Sequence, residues 1–365
     1  MVKIDLYPTL CPSFPHFERF ATDTRLSGIR FNSAQIDNFE LDKELEALKK
    51  LGRVVPIYFD VKGRQLRVVK VDFNPNYLDL TLNHAISLDN PNGVGVYFKA
   101  ENDFAVLDRL EESGRRLIFK PGSISWKIKK GESVHILDPS LKVLPPMFID
   151  EEKEKIKKIV KFGFKKFYLS YVCDQAYVDE FLKLVGKDAE VWLKIEDLAG
   201  LNYVANEFVK RPNLTLVAAR GDLHVELIKP HLMAKALELI ISKDPEACVG
   251  SRIMLSVIPS PGWREQEMVK NIRKMLGADP GGTSVDMIDS ERLRKIVTPD
   301  LNRIWPPQVP ACADFLELAW LYDIGYRKML LCDELCLKQN LLEYAINAVE
   351  SFARDYRPGK RRKRR

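Results

Sequence analysis

The chain alternates short apolar, β-branched runs with longer segments whose apolar positions recur every three or four residues. The runs at 3–7, 28–31, 54–60, 165–170, 190–195, 214–219, 246–251 and 327–332 predict strands. Amphipathic stretches such as 41–51, 151–162, 176–184, 199–209, 231–242 and 312–322 predict helices between most of them. Apolar strands separated by helices predict a parallel sheet covered on both faces, and eight alternations predict an α/β fold closed into a (β/α)8 TIM barrel. In such a barrel the reactive groups stand at the C-terminal ends of the strands.

Two segments break the alternation. Residues 68–142 contain strand-like runs at 78–82, 94–98 and 124–128, which predict a small β-rich cap domain inserted after the third strand. Residues 256–308 contain Pro259-Ser260-Pro261-Gly262-Trp263, a basic helix-like piece at 265–276 and Asp279-Pro280-Gly281-Gly282-Thr283. They predict an extra lid-like insertion over the barrel mouth, or a surface for a partner. The barrel is therefore assigned to 1–67 and 143–355, with 356–365 as a basic disordered tail.

Composition adds constraints. A chain of 365 residues, 46% hydrophobic, exceeds the roughly 250 residues that a barrel needs. No window approaches 18 consecutive apolar residues, and no basic-then-apolar leader opens the chain, so neither a membrane span nor a signal peptide is expected and the predicted setting is cytoplasmic. The run 360–365 supplies the whole net charge of +6. Nucleic acid is thus expected to meet the tail only through nonspecific, salt-sensitive attraction. Cysteines 11, 173, 248, 312, 332 and 336 form no CxxC pair and predict reduced thiols.

The chemistry concentrates in two strand ends. In Val191-Trp192-Leu193-Lys194-Ile195-Glu196-Asp197, side chains alternate with period two, so Lys194 and Glu196 share a side. The next strand, from Asn213, runs into Ala219-Arg220-Gly221-Asp222, which places backbone N–H groups beside a hard-cation ligand. One ammonium and two carboxylates at neighbouring strand ends predict a metal-assisted site for a phosphate or an enolate. A snorkelling lysine, a surface carboxylate pair and a plain turn glycine are the bland alternatives for Lys194, for Glu196 with Asp222, and for Gly221.

These two segments resemble the Lys-Ile-Glu and Ala-Arg-Gly-Asp-Leu motifs of the pyruvate kinase family. The resemblance extends to Lys3-Ile4-Asp5-Leu6-Tyr7-Pro8-Thr9, to Gly28-Ile29-Arg30-Phe31-Asn32-Ser33 and to Asp60-Val61-Lys62-Gly63-Arg64-Gln65-Leu66-Arg67. Val143-Leu144-Pro145-Pro146, Tyr168-Leu169-Ser170-Tyr171 and Met329-Leu330-Leu331-Cys332-Asp333-Glu334 follow in the family's order. It implies a TIM barrel of the phosphoenolpyruvate/pyruvate-binding type and phosphoryl transfer between phosphoenolpyruvate and ADP, with pyruvate and ATP as products. Lys194 and Arg30 would stabilise the transferring group, and the enolate would be protonated near Ser251. Ala219, Arg220 and Gly221, with Ser170 and Arg67, would bind substrate. Glu196 and Asp222 would hold Mg²⁺ or Mn²⁺, and Asn32 and Asp60 remain as monovalent-cation ligands.

Departures from the family pattern qualify this. Ala34 replaces a potassium-site hydroxyl and Gln65 a glutamate, which argue against a K⁺ requirement, and Gln35 replaces a nucleotide-side histidine, which weakens the adenine-nucleotide side. His224 replaces a small residue next to Asp222. The family's C-terminal domain has no counterpart, which predicts a homodimer or monomer rather than a tetramer. Two other functions therefore stay open: a metal-dependent aldolase, lyase or decarboxylase acting on a 2-oxo acid through an enolate, and a non-catalytic regulatory barrel.

Overall fold

The computed structural model describes residues 2–32, 41–51, 55–72, 76–98, 103–122, 128–227, 229–258 and 310–358. The expectations for Ala34 and Gln35, most of the strand at 124–128, the insertion from 259 onward and the run 360–365 lie outside the described residues. Eight strands form one parallel sheet: β1 (Asp5–Tyr7), β2 (Ile29–Asn32), β3 (Ile57–Val61), β4 (Lys166–Leu169), β5 (Glu190–Ile195), β6 (Leu214–Ala219), β7 (Cys248–Gly250) and β8 (Lys328–Leu330). From β2 to β8 each pairs with its neighbour in sequence order, and β8 returns to β1. Between β1 and β2 the ring is completed by Arg30 N donating to Pro8 O at 2.9 Å and Leu10 N to Arg30 O at 3.1 Å. The sheet is the predicted TIM barrel.

Period-two alternation sorts the strand residues into two apolar clusters. Phe59, Leu169, Leu193, Leu216, Val249 and Met329 point outward to the helices, where Leu41–Leu51 contributes Leu41, Leu45 and Leu48 at helical spacing. Tyr7, Tyr58, Tyr168, Trp192, Val217, Cys248 and Leu330 point inward and fill the bore. The Trp192 ring lies 4.9 Å from both Tyr7 and Tyr58 and 5.2 Å from Tyr168, mostly edge to face. β2 contributes no side chain to this layer because a Cβ on Gly28 would stand 2.9 Å from the Tyr7 ring and 3.0 Å from that of Tyr58.

One step further along each strand, the inward positions become Thr9, Arg30, Asp60, Ser170, Lys194 and Ala219. A polar layer thus rests on an aromatic floor. The predicted seventh strand, 246–251, is shorter in the structure because Ser251 and Arg252 take φ of +61° and +54°, which ends the extended run at Gly250. Asp197 accepts a hydrogen bond from Gly200 N at 2.7 Å and so starts the next helix at Leu198.

Within 68–142 lies a second, antiparallel sheet of six strands. Its apolar cluster includes Leu80, Val96, Phe98, Leu107, Leu117 and Phe119. Its outer strands, Val68–Asp72 and Val134–Ile136, approach each other through Val68 N to Glu132 O and Val134 N to Leu66 O, both 3.0 Å. That closure carries His135 back over the end of the barrel.

Removing the floor tests the layering. Trp192→Ala leaves a cavity under the polar layer and is expected to cost about 3–5 kcal/mol of stability, read as a lower urea midpoint. A loss below about 1 kcal/mol would mean that the rings do not pack as a unit.

Candidate active site

The polar layer is organised by Asp60, which is fully buried on β3. Its Oδ2 accepts from Arg30 Nε at 2.8 Å, from Arg30 Nη2 and from Lys62 Nζ at 2.9 Å, with Lys194 Nζ at 3.5 Å. Its Oδ1 accepts from Ser170 Oγ at 3.1 Å. Burial alone would raise this carboxyl, but Lys194, Lys62 and Arg30 together hold it well below the usual range. A monovalent cation between Asn32 and Asp60 would bring further positive charge to a carboxylate already ringed by cations. Asn32 instead donates to Asp333 Oδ2 at 3.0 Å.

Lys194 is buried and bridges this cluster to the acidic groups. Its Nζ donates to Ser170 Oγ at 3.0 Å and lies 2.8 Å from Glu196 Oε1. Burial pulls its ammonium down, but Asp60 and Glu196 outweigh that and keep it above its ordinary value. Burial pushes the Glu196 carboxyl up to about 7 against the pull of Lys194, and neighbouring Asp222 adds to the rise. Glu196 Oε2 accepts from Tyr171 N at 2.7 Å, whereas Oε1 is buried with no well-directed hydrogen bond. Against burial, His135 and Lys194 hold Asp222 below the usual carboxylate range.

The donor chemistry suits a divalent cation: two neighbouring carboxylates, one with an oxygen that has only the Lys194 ion pair and no well-directed hydrogen bond. Among the described residues no three His, Cys, Asp or Glu side chains form a metal cage as they stand. A hard cation at Glu196 and Asp222 would therefore complete its shell with water and oxygens of a bound anion.

The other expected residues divide. Arg30 joins the cluster through Asp60, Thr9 Oγ1 at 2.9 Å and Asp333 Oδ1 at 2.7 Å. Gly221 and Ser251 are adjacent, since a Cβ on Gly221 would meet Ser251 Cβ at 3.3 Å. The Arg220 side chain turns away from the Lys194 cluster to Ser251 O at 2.8 Å and to Glu317. Arg67 is directed at Gln65 Oε1, at 2.8 Å, and at Gly131 O of the inserted sheet. His224 lines a cavity of about 330 Å³ with Arg220, Arg252 and Glu317. Asp222 and Glu226, one helical turn apart, share a face that His224, two residues along, does not.

The histidine that does meet the carboxylates is His135, whose Nδ1 stands 2.8 Å from Glu226 Oε1 and whose Nε2 stands 3.5 Å from Asp222 Oδ1. Sequence reasoning passed over it and Glu226, and gave no role to Asp333 or Lys62. Only Lys62 carried a local signal, two residues beyond Asp60 on the same side of its strand.

Lys62 offers a pH test. Burial, opposed by Asp60 and reinforced by Lys194, lowers its ammonium from 10.5 to about 8. Between those values the unfolded chain binds the extra proton, so stability rises with pH. Wild type should gain up to roughly 3 kcal/mol relative to Lys62→Met between pH 8 and 10.5, measured by urea unfolding across a pH series. Parallel stability curves would show that Lys62 titrates as an exposed lysine.

No protein-family model matches the chain. It is 28% identical over 245 residues to a pyruvate kinase of Thermoplasma acidophilum, covering 62% of this chain and 43% of that one. A pyruvate kinase of Dictyostelium discoideum is 28% identical over 242 residues, 59% of this chain and 47% of its own. Pyruvate kinase 1 of Saccharomyces cerevisiae is 25% identical over 240 residues, 59% of this chain and 46% of its own. The chain thus spans less than half the length of these curated relatives. In fold it resembles a pyruvate kinase from Cryptosporidium parvum, with a TM-score of 0.64 and 16% identity over 96% of this chain and 69% of that one. In sequence over more than half of its length, and in fold over nearly all of it, the chain is pyruvate-kinase-like.

Proposed function

We propose that the chain is a pyruvate-kinase-like phosphotransferase that moves a phosphoryl group between phosphoenolpyruvate and ADP with Mg²⁺ or Mn²⁺ at Glu196 and Asp222. The supporting observation is the buried Lys194 ammonium, placed 2.8 Å from Glu196 Oε1 and held from the other side by Ser170. A bound divalent cation would supply charge neutralisation at the substrate oxygens. Lys194 brings a compact positive charge to the transferring group, already oriented by Asp60 and Ser170 so that little reorganisation is needed. Arg30 meets phosphoryl oxygens by exchanging Asp333 for the ligand. Backbone N–H groups at Ala219, Arg220 and Gly221 face the substrate carboxylate, and Ser251 stands by the carbon that takes the proton. Arg67 contributes from the side of the inserted sheet, which acts as the cap over 68–142. No helix among the described residues is long and apolar enough to cross a membrane, and the cytoplasm is the proposed setting.

Oxalate, a bidentate mimic of the enolate, should bind only with a divalent cation, and calorimetry in excess chelator should abolish its signal. Equal binding in chelator would remove Glu196 and Asp222 from the site. ADP is then titrated into protein holding Mg²⁺ and oxalate; saturable binding, with ATP formed from phosphoenolpyruvate, is the expected result. Oxalate binding without any ADP binding would instead assign the site to an oxo-acid enolate reaction.

Lys194→Met tests the ammonium. Turnover should fall about a hundredfold to a thousandfold with a much smaller change in substrate affinity. A near-wild-type rate would exclude Lys194 from the transition state.

A further inference from the structure

His135 comes from the inserted sheet, yet its side chain is fully buried against barrel residues. Nδ1 stands 2.8 Å from Glu226 Oε1, with the Tyr171 hydroxyl at 3.3 Å. Nε2 is buried, has no hydrogen-bond partner and lies 3.5 Å from Asp222 Oδ1. Leaving a buried ring nitrogen unmatched costs about 1–3 kcal/mol. Nearby, Glu196 Oε1 has the Lys194 ammonium at 2.8 Å but no well-directed hydrogen bond, and Glu196 interacts with Asp222 from the barrel side.

His135 thus has one nitrogen on a carboxylate and the other facing a second carboxylate at 3.5 Å without a hydrogen bond, which leaves room for an ion to be shared by that nitrogen and that carboxylate. The carboxylate fixes the ring and its tautomer, and the free nitrogen takes the ion. Two donors each about 2.1 Å from one ion lie about 3.0–3.4 Å apart, so the Nε2 to Oδ1 spacing needs little adjustment. Glu196 Oε1 completes the set once an ion draws it off Lys194.

We propose that His135 is a third protein donor to the divalent cation held by Glu196 and Asp222, with Glu226 as its positioning residue. This rests on the cation site of the proposed function and adds a nitrogen ligand to it. Two consequences follow from the chemistry. A nitrogen donor favours Mn²⁺ or Co²⁺ over Mg²⁺, because Mg²⁺ prefers an all-oxygen shell. The same ion also ties the inserted sheet to the ends of β5 and β6, so that metal loading holds the sheet down on the barrel mouth.

The test uses the full chain and metal alone. Mn²⁺ and Mg²⁺ are titrated calorimetrically into wild type, His135→Ala, His135→Gln and Asp222→Asn, and bound Mn²⁺ is examined by pulsed EPR for ¹⁴N coupling. Wild type should prefer Mn²⁺ and show the nitrogen coupling, a readout that needs no variant to fold. His135→Ala should lower Mn²⁺ affinity at least about tenfold while moving Mg²⁺ much less, and His135→Gln should lose the coupling. Absence of nitrogen coupling in wild type, or unchanged or tighter Mn²⁺ binding in His135→Ala, would overturn the proposal; tighter binding would mean that the imidazole blocks the ion. Asp222→Asn separates the two claims. If that variant loses Mn²⁺ while His135→Ala keeps it, only the histidine ligand is wrong. If Asp222→Asn keeps Mn²⁺, or wild type binds none, the cation site and the histidine ligand both fall.

Discussion

The barrel mouth depends on one buried carboxylate. Asp60 has no exposed surface, and three cationic side chains, Arg30, Lys62 and Lys194, converge on a single oxygen of it. Taking those charges out of water would be prohibitive without an opposing charge at the centre, since each unpaired buried ion costs several kcal/mol. Asp60 thereby fixes where Lys194 points, how far Arg30 is extended, and why the fourth strand ends in a hydroxyl, Ser170, that can bond both Asp60 and Lys194.

The layer beneath makes that electrostatic arrangement possible. Four aromatic rings pack across the bore beneath Asp60, and Gly28 gives them the space. Because inward and outward positions alternate strictly, the register that buries Trp192 in the floor also delivers Lys194 to the polar layer. Core and site are the same alternation read at two heights. A change in the register of β5 would lose both together.

This explains what the sequence made legible. Eight alternations and the period of two were enough to place the strands and to put Lys194 and Glu196 on one side, because both signals are local. Side-chain direction within the helix after β6 was less accessible. The expected role of Arg220 uses its backbone N–H alone, and its side chain goes to Glu317, which lies 97 residues further along the chain. The two histidines show the limit most plainly. His224 stands beside Asp222 in sequence and faces the 330 Å³ cavity instead. His135 is 91 residues from its partner Glu226 and reaches it only because the inserted sheet closes on itself. Nothing in its neighbours' composition announces that contact. Asp333 is likewise brought to Arg30 by ring closure, across 303 residues.

The finished mouth is electrically divided. On the β2 and β3 side stand Arg30 and Lys62 around Asp60; on the β5 and β6 side stand Glu196, Asp222 and Glu226 around His135. Lys194 lies between, in contact with Asp60 and Glu196 at once. A lone anion would reach Arg30 only by displacing Asp333 and would be repelled by the second side, whereas a lone divalent cation would be drawn to the second side. A complex of the two satisfies both halves, with Lys194 at the seam where the anion's charge meets the cation. Glu196, raised to about 7 by burial and Asp222 against the pull of Lys194, would be stabilised as a carboxylate in the same step. The division of charge thus favours joint binding over either ligand alone, and it follows from the placement of the side chains independently of any resemblance to other proteins.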